Sequence, residues 1–305
     1  MRAPPALLLL ALAACSGKGC RSGSGLSAES TEACADLATR SCNRLAFCAP
    51  LSLAIAYGDI ARCIDRTIPV CISALQAKGS GQAPSRVRSC AQAYDTARCE
   101  DIVVGKAPPS CTFPGTLGLG EVCGDDSQCG SPHGYCRLAS DQTCGTCSTL
   151  GTAGAGCFSD RDCDDGLVCY FTCVAPVGLG EACDGMARQC PSTQVCLNYT
   201  CAAPGQAGAP CNPRADHCDR DHGLFCDAQT KACAHYTFAD PGAPCGTGTT
   251  CRAGACIAAP GTEKSLCVAN AADGSECDAT LGPPCMAPAR CVEGVCRLPD
   301  SAGCR

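Results

Sequence analysis

Apolar and polar positions divide the 305-residue chain into four textures. An unbroken apolar run, Ala6 to Ala14, follows the positive Arg2 and is too short to span a bilayer, which takes about 20 residues. Ser16 to Ser30, SGKGCRSGSGLSAES, is rich in Gly and Ser and has no apolar period, so 15–30 is expected to be a flexible tether. From Thr31 to about Cys111 apolar positions return at steps of three and four. In TEACADLATRSCNRLAFC the recurring positions are Cys34, Leu37, Ala38, Ser41, Cys42, Leu45 and Cys48, which places the cysteines on one helical stripe, with Ser30 or Thr31 as N-cap. A second helical pattern after Pro50 carries Ile60, Cys63 and Ile64. A third runs from Pro69 through Cys71 and Leu75 to the Gly79-Ser80-Gly81 break, and a fourth begins near Pro84 and includes Val87, Cys90, Ala91 and Tyr94. With Cys99 and Cys111, eight cysteines fall in this region, and 31–112 is expected to be a disulfide-stapled helical bundle.

Beyond Phe113 the helical period disappears. Glycine, proline and aspartate turn signals separate cysteines by four to seven residues, and apolar runs shrink to two or three. The stretch repeats: Gly120-Glu121-Val122-Cys123, Gly154-Ala155-Gly156-Cys157, Gly180-Glu181-Ala182-Cys183, Gly208-Ala209-Pro210-Cys211, Gly242-Ala243-Pro244-Cys245 and Gly274-Ser275-Glu276-Cys277 open six units. Each unit is a glycine turn, a bridged loop and a ribbon, too small to be stable without its own bridges or a neighbour. The expectation for 113–305 is therefore an elongated array of short cysteine-rich loop and hairpin repeats, a stalk. The fold class is small disulfide-rich.

Composition explains why sulfur must hold this chain together. Cysteine makes up 36 of 305 residues, tryptophan is absent, and Leu, Ile, Val and Phe together number 47. So little apolar surface does not offset the conformational entropy lost on folding. Disulfides, at about 2 to 4 kcal/mol each, must do so in an oxidising compartment. The leader MRAPPALLLLALAAC supplies the route to one. Its end, Leu12-Ala13-Ala14-Cys15, resembles the lipobox of bacterial lipoproteins, which implies removal of residues 1–14 and lipidation of Cys15. Without Cys15 and Cys20, 34 cysteines remain from Cys34 to Cys304, an even number. The helical region holds eight, the segment Cys123 to Cys173 nine and Cys183 to Cys304 seventeen, so full oxidation within one chain requires a bridge between blocks, most simply between the last two.

The run C-GDDSQ-C-GSPHGY-C-RLASDQT-C-GT-C, comprising Cys123, Cys129, Cys136, Cys144 and Cys147 and followed by Cys157, Cys163, Cys169 and Cys173, resembles the Dickkopf N-terminal cysteine-rich domain. Asp126, the Tyr135-Cys136 pair and the Cys144-x-x-Cys147 step carry the likeness. The family has adjacent cysteines late in its motif, whereas Asp164 follows Cys163 here, so neither its pairing nor its receptor-antagonist activity is transferred. With the leader and the helical preface, the whole resembles the cysteine-rich lipoproteins of predatory or social soil bacteria.

Candidate chemistry is sparse. Cys144-Gly145-Thr146-Cys147 has thiol-disulfide oxidoreductase spacing but lacks a surrounding βαβ pattern, which favours structural bridging. His133, His217, His222 and His235 lie among cysteines that, if reduced, would suit zinc, though none repeats at ligand spacing. Asp160, Asp162 and Asp164, and Asp216, Asp219 and Asp221, are weak calcium candidates; neither run has EF-hand register, and turn aspartates also cap backbone N–H groups. No nucleophile elbow, His-Glu-x-x-His helix or phosphate loop occurs, so no enzyme is expected. Residues 31–112 carry nine basic and seven acidic groups, while 113–305 carry eleven and twenty-one, which disfavours nucleic acid and suits cationic partners. The resulting expectation is a lipid-anchored protein of the outer membrane or cell surface, with a structural, adhesive or protein-binding role towards an envelope component. A disulfide-stapled inhibitor or ligand of a protease or receptor, and metal sequestration by Cys/His clusters, are the alternatives.

Overall fold

The computed structural model describes residues 27–304 apart from 131–133, 140, 185–188, 216, 259–263 and 279. The leader, Cys15 and Cys20 lie outside the described residues. Five α-helices are found among those described: α1 (Ala28–Cys48), α2 (Pro50–Ala56), α3 (Ile60–Gln76), α4 (Pro84–Ala93) and α5 (Cys99–Val103). None is long and apolar enough to cross a membrane.

Helix α1 begins ahead of the expected boundary. The Ser27 hydroxyl accepts the Ser30 N–H at 3.1 Å, so Ser27 rather than Ser30 or Thr31 is the cap, and the last residues assigned to the tether are helical. Its buried stripe is Ala33, Cys34, Ala38, Cys42 and Cys48. Pro69 does not open a new helix but lies inside α3. An internal proline removes one i→i−4 bond and works against a helix by about 3 kcal/mol. Bridges on both sides of it, Cys42–Cys63 and Cys34–Cys71, fasten both halves of α3 to α1 and keep it continuous. Cys48–Cys99 ties α5 to the end of α1, and Cys90–Cys111 closes the region internally. Between α1, α3 and α4 the core is Ala33, Cys34, Cys71 and Val87, with Leu37, Ile72 and Leu75 packed against it.

The six units share one construction. The first and third cysteines pair, as do the second and fourth, with Cys147 holding the fourth place in the first unit because the extra Cys144 bonds elsewhere: Cys123–Cys136 and Cys129–Cys147, Cys157–Cys169 and Cys163–Cys173, Cys183–Cys196 and Cys190–Cys201, Cys211–Cys226 and Cys218–Cys233, Cys245–Cys256 and Cys251–Cys267, Cys277–Cys291 and Cys285–Cys296. The third and fourth cysteines face each other across an antiparallel hairpin, as Cys136 and Cys147 do between Gly134–Arg137 and Gly145–Thr149. The opening glycines, Gly120, Gly154, Gly180, Gly208, Gly242 and Gly274, all have φ between 76° and 86°, a region that costs other residues about 1–2 kcal/mol. That conformation aims each glycine N–H at the carbonyl of the fourth cysteine, at 2.8 Å in every unit. The fourth cysteine's N–H returns to the carbonyl of the residue after the glycine, at 2.7–2.9 Å.

The array is not the elongated stalk that the repeat pattern suggests. It curls around the helical region as a collar, and every unit or its leading segment touches a helix or a connection beside one. The contacts run in order: Gly81 N–H to Ser127 O at 2.7 Å, Lys106 Nζ to Leu167 O at 3.3 Å, Ser192 Oγ to Glu100 O at 3.2 Å, Leu51 N–H to Asp221 O at 3.2 Å, Ala253 N–H to Ala54 O at 2.9 Å, and Arg66 Nη2 to Asp273 Oδ1 at 2.6 Å. Arg66 also donates to the Ala287 and Met286 carbonyls. The chain end then meets the first unit through Cys144–Cys304, 160 residues apart in sequence. This is the bridge between blocks that parity requires. Gly124 lies at this seam, where a Cβ would come within 2.6 Å of Ser301 Cα. The physical reason for curling is that a unit buries little but its own sulfurs, and the helical face offers it a second contact surface.

Candidate functional site

A groove of about 620 Å³ lies between α2, the start of α3, and the chain joining the fourth and fifth units. One wall is apolar because α2 turns Leu51, Leu53 and Ala54 towards the collar and α3 begins with Ile60 and Ala61. The opposite wall carries Tyr236 and Phe238. Tyr236 is held by its N–H to Gly223 O at 2.9 Å and by its ring, 4.9 Å from that of Phe225. Gly248 is required behind Phe225, since a Cβ there would come within 2.4 Å of the ring.

A few polar groups converge on the rim. Arg252 Nη1 donates to Gly58 O at 3.1 Å, and its guanidinium carbon lies 4.4 Å from the Phe238 ring centroid, a cation–π arrangement. His222 Nδ1 is 2.9 Å from Asp219 Oδ2, and Asp219 Oδ1 accepts the His222 N–H. His235 lines the groove beside them. The Asp59 carboxylate caps α3 by accepting the Arg62 N–H at 2.8 Å. Behind the rim, burial, reinforced by the Asp219 charge, raises the Asp221 carboxyl above the ordinary carboxylate range.

The aspartates considered for calcium act as turn acceptors. Asp160 Oδ1 accepts the Cys169 N–H at 2.6 Å, Asp162 Oδ2 accepts the Phe158 and Ser159 N–H groups at 2.8 and 2.9 Å, and Asp164 Oδ1 accepts the Asp165 N–H at 2.9 Å. In the first unit Asp126 takes the place of Asp160, accepting the Cys136 N–H at 2.9 Å, and Gln128 takes the place of Asp162. These carboxylates are built into the loop between the first and second cysteines. The two cysteines of Cys144-Gly145-Thr146-Cys147 bond to different partners, Cys304 and Cys129, rather than to each other. Of the histidines, His222 and His235 share the groove; His133 and Asp216 lie outside the described residues.

Comparison with protein-family models, with curated proteins and with solved structures gives no match. The groove residues Tyr236, Phe238 and Arg252 carry no motif. Two aromatics two apart, in a chain with six Phe and six Tyr, are the one sequence signal that points to them.

Proposed function

We propose that this chain is a lipid-anchored extracytoplasmic protein of a bacterial outer membrane or cell surface, attached through Cys15, which binds a protein or envelope component and performs no catalysis. The Dickkopf-like spacing of 123–173 and the lipoprotein-like leader belong to this reading. The observation that carries it is the placement of large apolar side chains on bridge-locked turns. Phe158, Phe171 and Tyr199 are 87%, 79% and 79% exposed, and the last two occupy hairpin tips at positive φ. A flexible loop would fold such side chains inward; a loop closed by two bridges keeps them out at little further entropic cost on binding. Seventeen disulfides are compatible with an oxidising compartment.

Three measurements test it. Cys15→Ala is expected to release the protein from membranes and abolish fatty-acid labelling, and a labelled, membrane-bound variant overturns the anchor. Crosslinking capture from envelope extracts should retain a partner that Phe158→Ser/Phe171→Ser/Tyr199→Ser loses. Equal capture by the variant rules out these turns as the contact. Titration of the purified protein under denaturing conditions should find almost no free thiols, whereas many would favour metal sequestration.

A further inference from the structure

We propose that the groove between α2 and the segment joining the fourth and fifth units binds a small amphipathic carboxylate, its apolar body against Leu51, Ile60, Tyr236 and Phe238 and its carboxylate at Arg252. A volume of about 620 Å³ suits a small molecule, and mostly apolar walls with a few convergent polar groups are the usual make-up of such a site. The walls are fixed before any ligand arrives. Two main-chain hydrogen bonds pin α2 to the collar, Leu51 to Asp221 on the fourth-unit side and Ala54 to Ala253 on the fifth-unit side.

Charge selects the head group. The nitrogenous groups at the rim are Arg252, His222 and His235, against one lining carboxylate, Asp59, which already caps α3. Asp219, just outside, is held by His222. Arg252 has no carboxylate partner among the described residues; it rests on an aromatic face and one carbonyl. A guanidinium desolvated by a ring on one side and still open on the other favours a carboxylate as its missing partner. Phe238 remains 39% exposed although it forms the groove wall, leaving apolar surface for the body of the ligand to cover. Neither feature depends on the anchor or on the exposed turns.

Binding of decanoate and of decanol to the full oxidised chain carrying Cys15→Ala tests this, because no covalent acyl chain then competes. Displacement of an anilinonaphthalene sulfonate probe gives the readout, undisturbed by tryptophan, which the chain lacks. Decanoate is expected to bind about tenfold more tightly than decanol, and Arg252→Gln to reduce it to the level of decanol. Phe238→Ala should weaken both by about fivefold, while the remote Phe171→Ala changes neither. Non-reducing peptide mapping confirms that each variant keeps its 17 bridges. Equal binding of the two ligands, indifference to Arg252→Gln, or no binding at about 5 mM overturns the proposal. A dimer in sedimentation velocity that Phe238→Ala abolishes also overturns it, by placing a second copy in the groove.

Discussion

The helical region and the six units respond to the same shortage of apolar surface in different ways. In the helices, bridges span 21 to 51 residues and lock together elements that already bury aliphatic side chains in three small clusters, Ala33 with Val87 in one, Leu53 in the second and Ile102 in the third. In the units, bridges span only 10 to 18 residues, and the buried cluster of the first unit is Cys123, Cys129, Cys136 and Cys147, with only the partly buried Leu117 and Leu138 packed against it. Sulfur is a staple in one region and the core itself in the other. Local hydrogen bonding differs accordingly: a helix satisfies its own backbone, whereas a unit depends on the exchange between its opening glycine and its fourth cysteine.

The largest effect should come from removing that sulfur. Under reduction the units lose core and crosslink together, while the helices keep some apolar packing. Limited proteolysis in reductant is therefore expected to cut first within 115–305, and mass spectrometry of the earliest fragments identifies the site. Early loss of 31–99 would contradict the contrast.

Next in size is the clasp. Cys144→Ser/Cys304→Ser leaves both bridges of every unit intact but removes the one crosslink among the described residues that closes the collar, with a loop long enough to place its contribution at about 5 kcal/mol. The melting temperature should fall and small-angle scattering should show a larger radius of gyration. An unchanged radius would mean that the contacts between helices and units close the collar unaided.

Those contacts can be weakened singly. The side chain of Arg66 is 14% exposed and joins α3 to the sixth unit through Asp273 and two carbonyls. Arg66→Met should destabilise by about 2 kcal/mol, measured by chemical denaturation, since it leaves polar groups at the interface without partners. A loss as small as that of a surface ion pair would assign the interface to the main-chain bonds.

What could be read from the sequence follows the same division. The cysteine stripe of α1 was legible because a helix imposes a 3.6-residue period, and the units because each needs its glycine three residues ahead of its first cysteine. Parity required a bridge between blocks without naming Cys144 and Cys304. Continuity of α3 through Pro69 was hidden, since it depends on which cysteines pair. Collar closure was hidden more deeply: Gly81, Leu51 and Ala253 meet their partners through main-chain N–H groups, which any residue but proline possesses. The groove brings Leu51 and Ile60 together with Tyr236 and Phe238, far apart in sequence, and of its lining only His222 and His235 stand out in the sequence as candidate chemistry, as metal ligands.

The smallest effect probes the boundary between the two regions. Asp125 caps the short helical turn Asp126–Gln128 of the first unit, accepts the Ser127 N–H at 2.9 Å and receives Gln82 Nε2, from the helical region, at 3.4 Å. Burial between unit and helices raises its carboxyl above the ordinary range, with the neighbouring Asp126 adding to the rise against the lowering effects of Ser127 and Arg161. The folded state then holds this proton more tightly than the unfolded chain, so the associated stability is present below the ordinary aspartate pKa and is lost as pH rises through the higher folded value. Asp125→Asn keeps an acceptor for Ser127 and removes the titration. Its melting temperature relative to the unaltered protein is expected to increase with pH across the acidic range and then level off. If units and helices separated in solution, Asp125 would be solvated and the difference would stay flat, so this titration measures whether the collar remains seated on the helices.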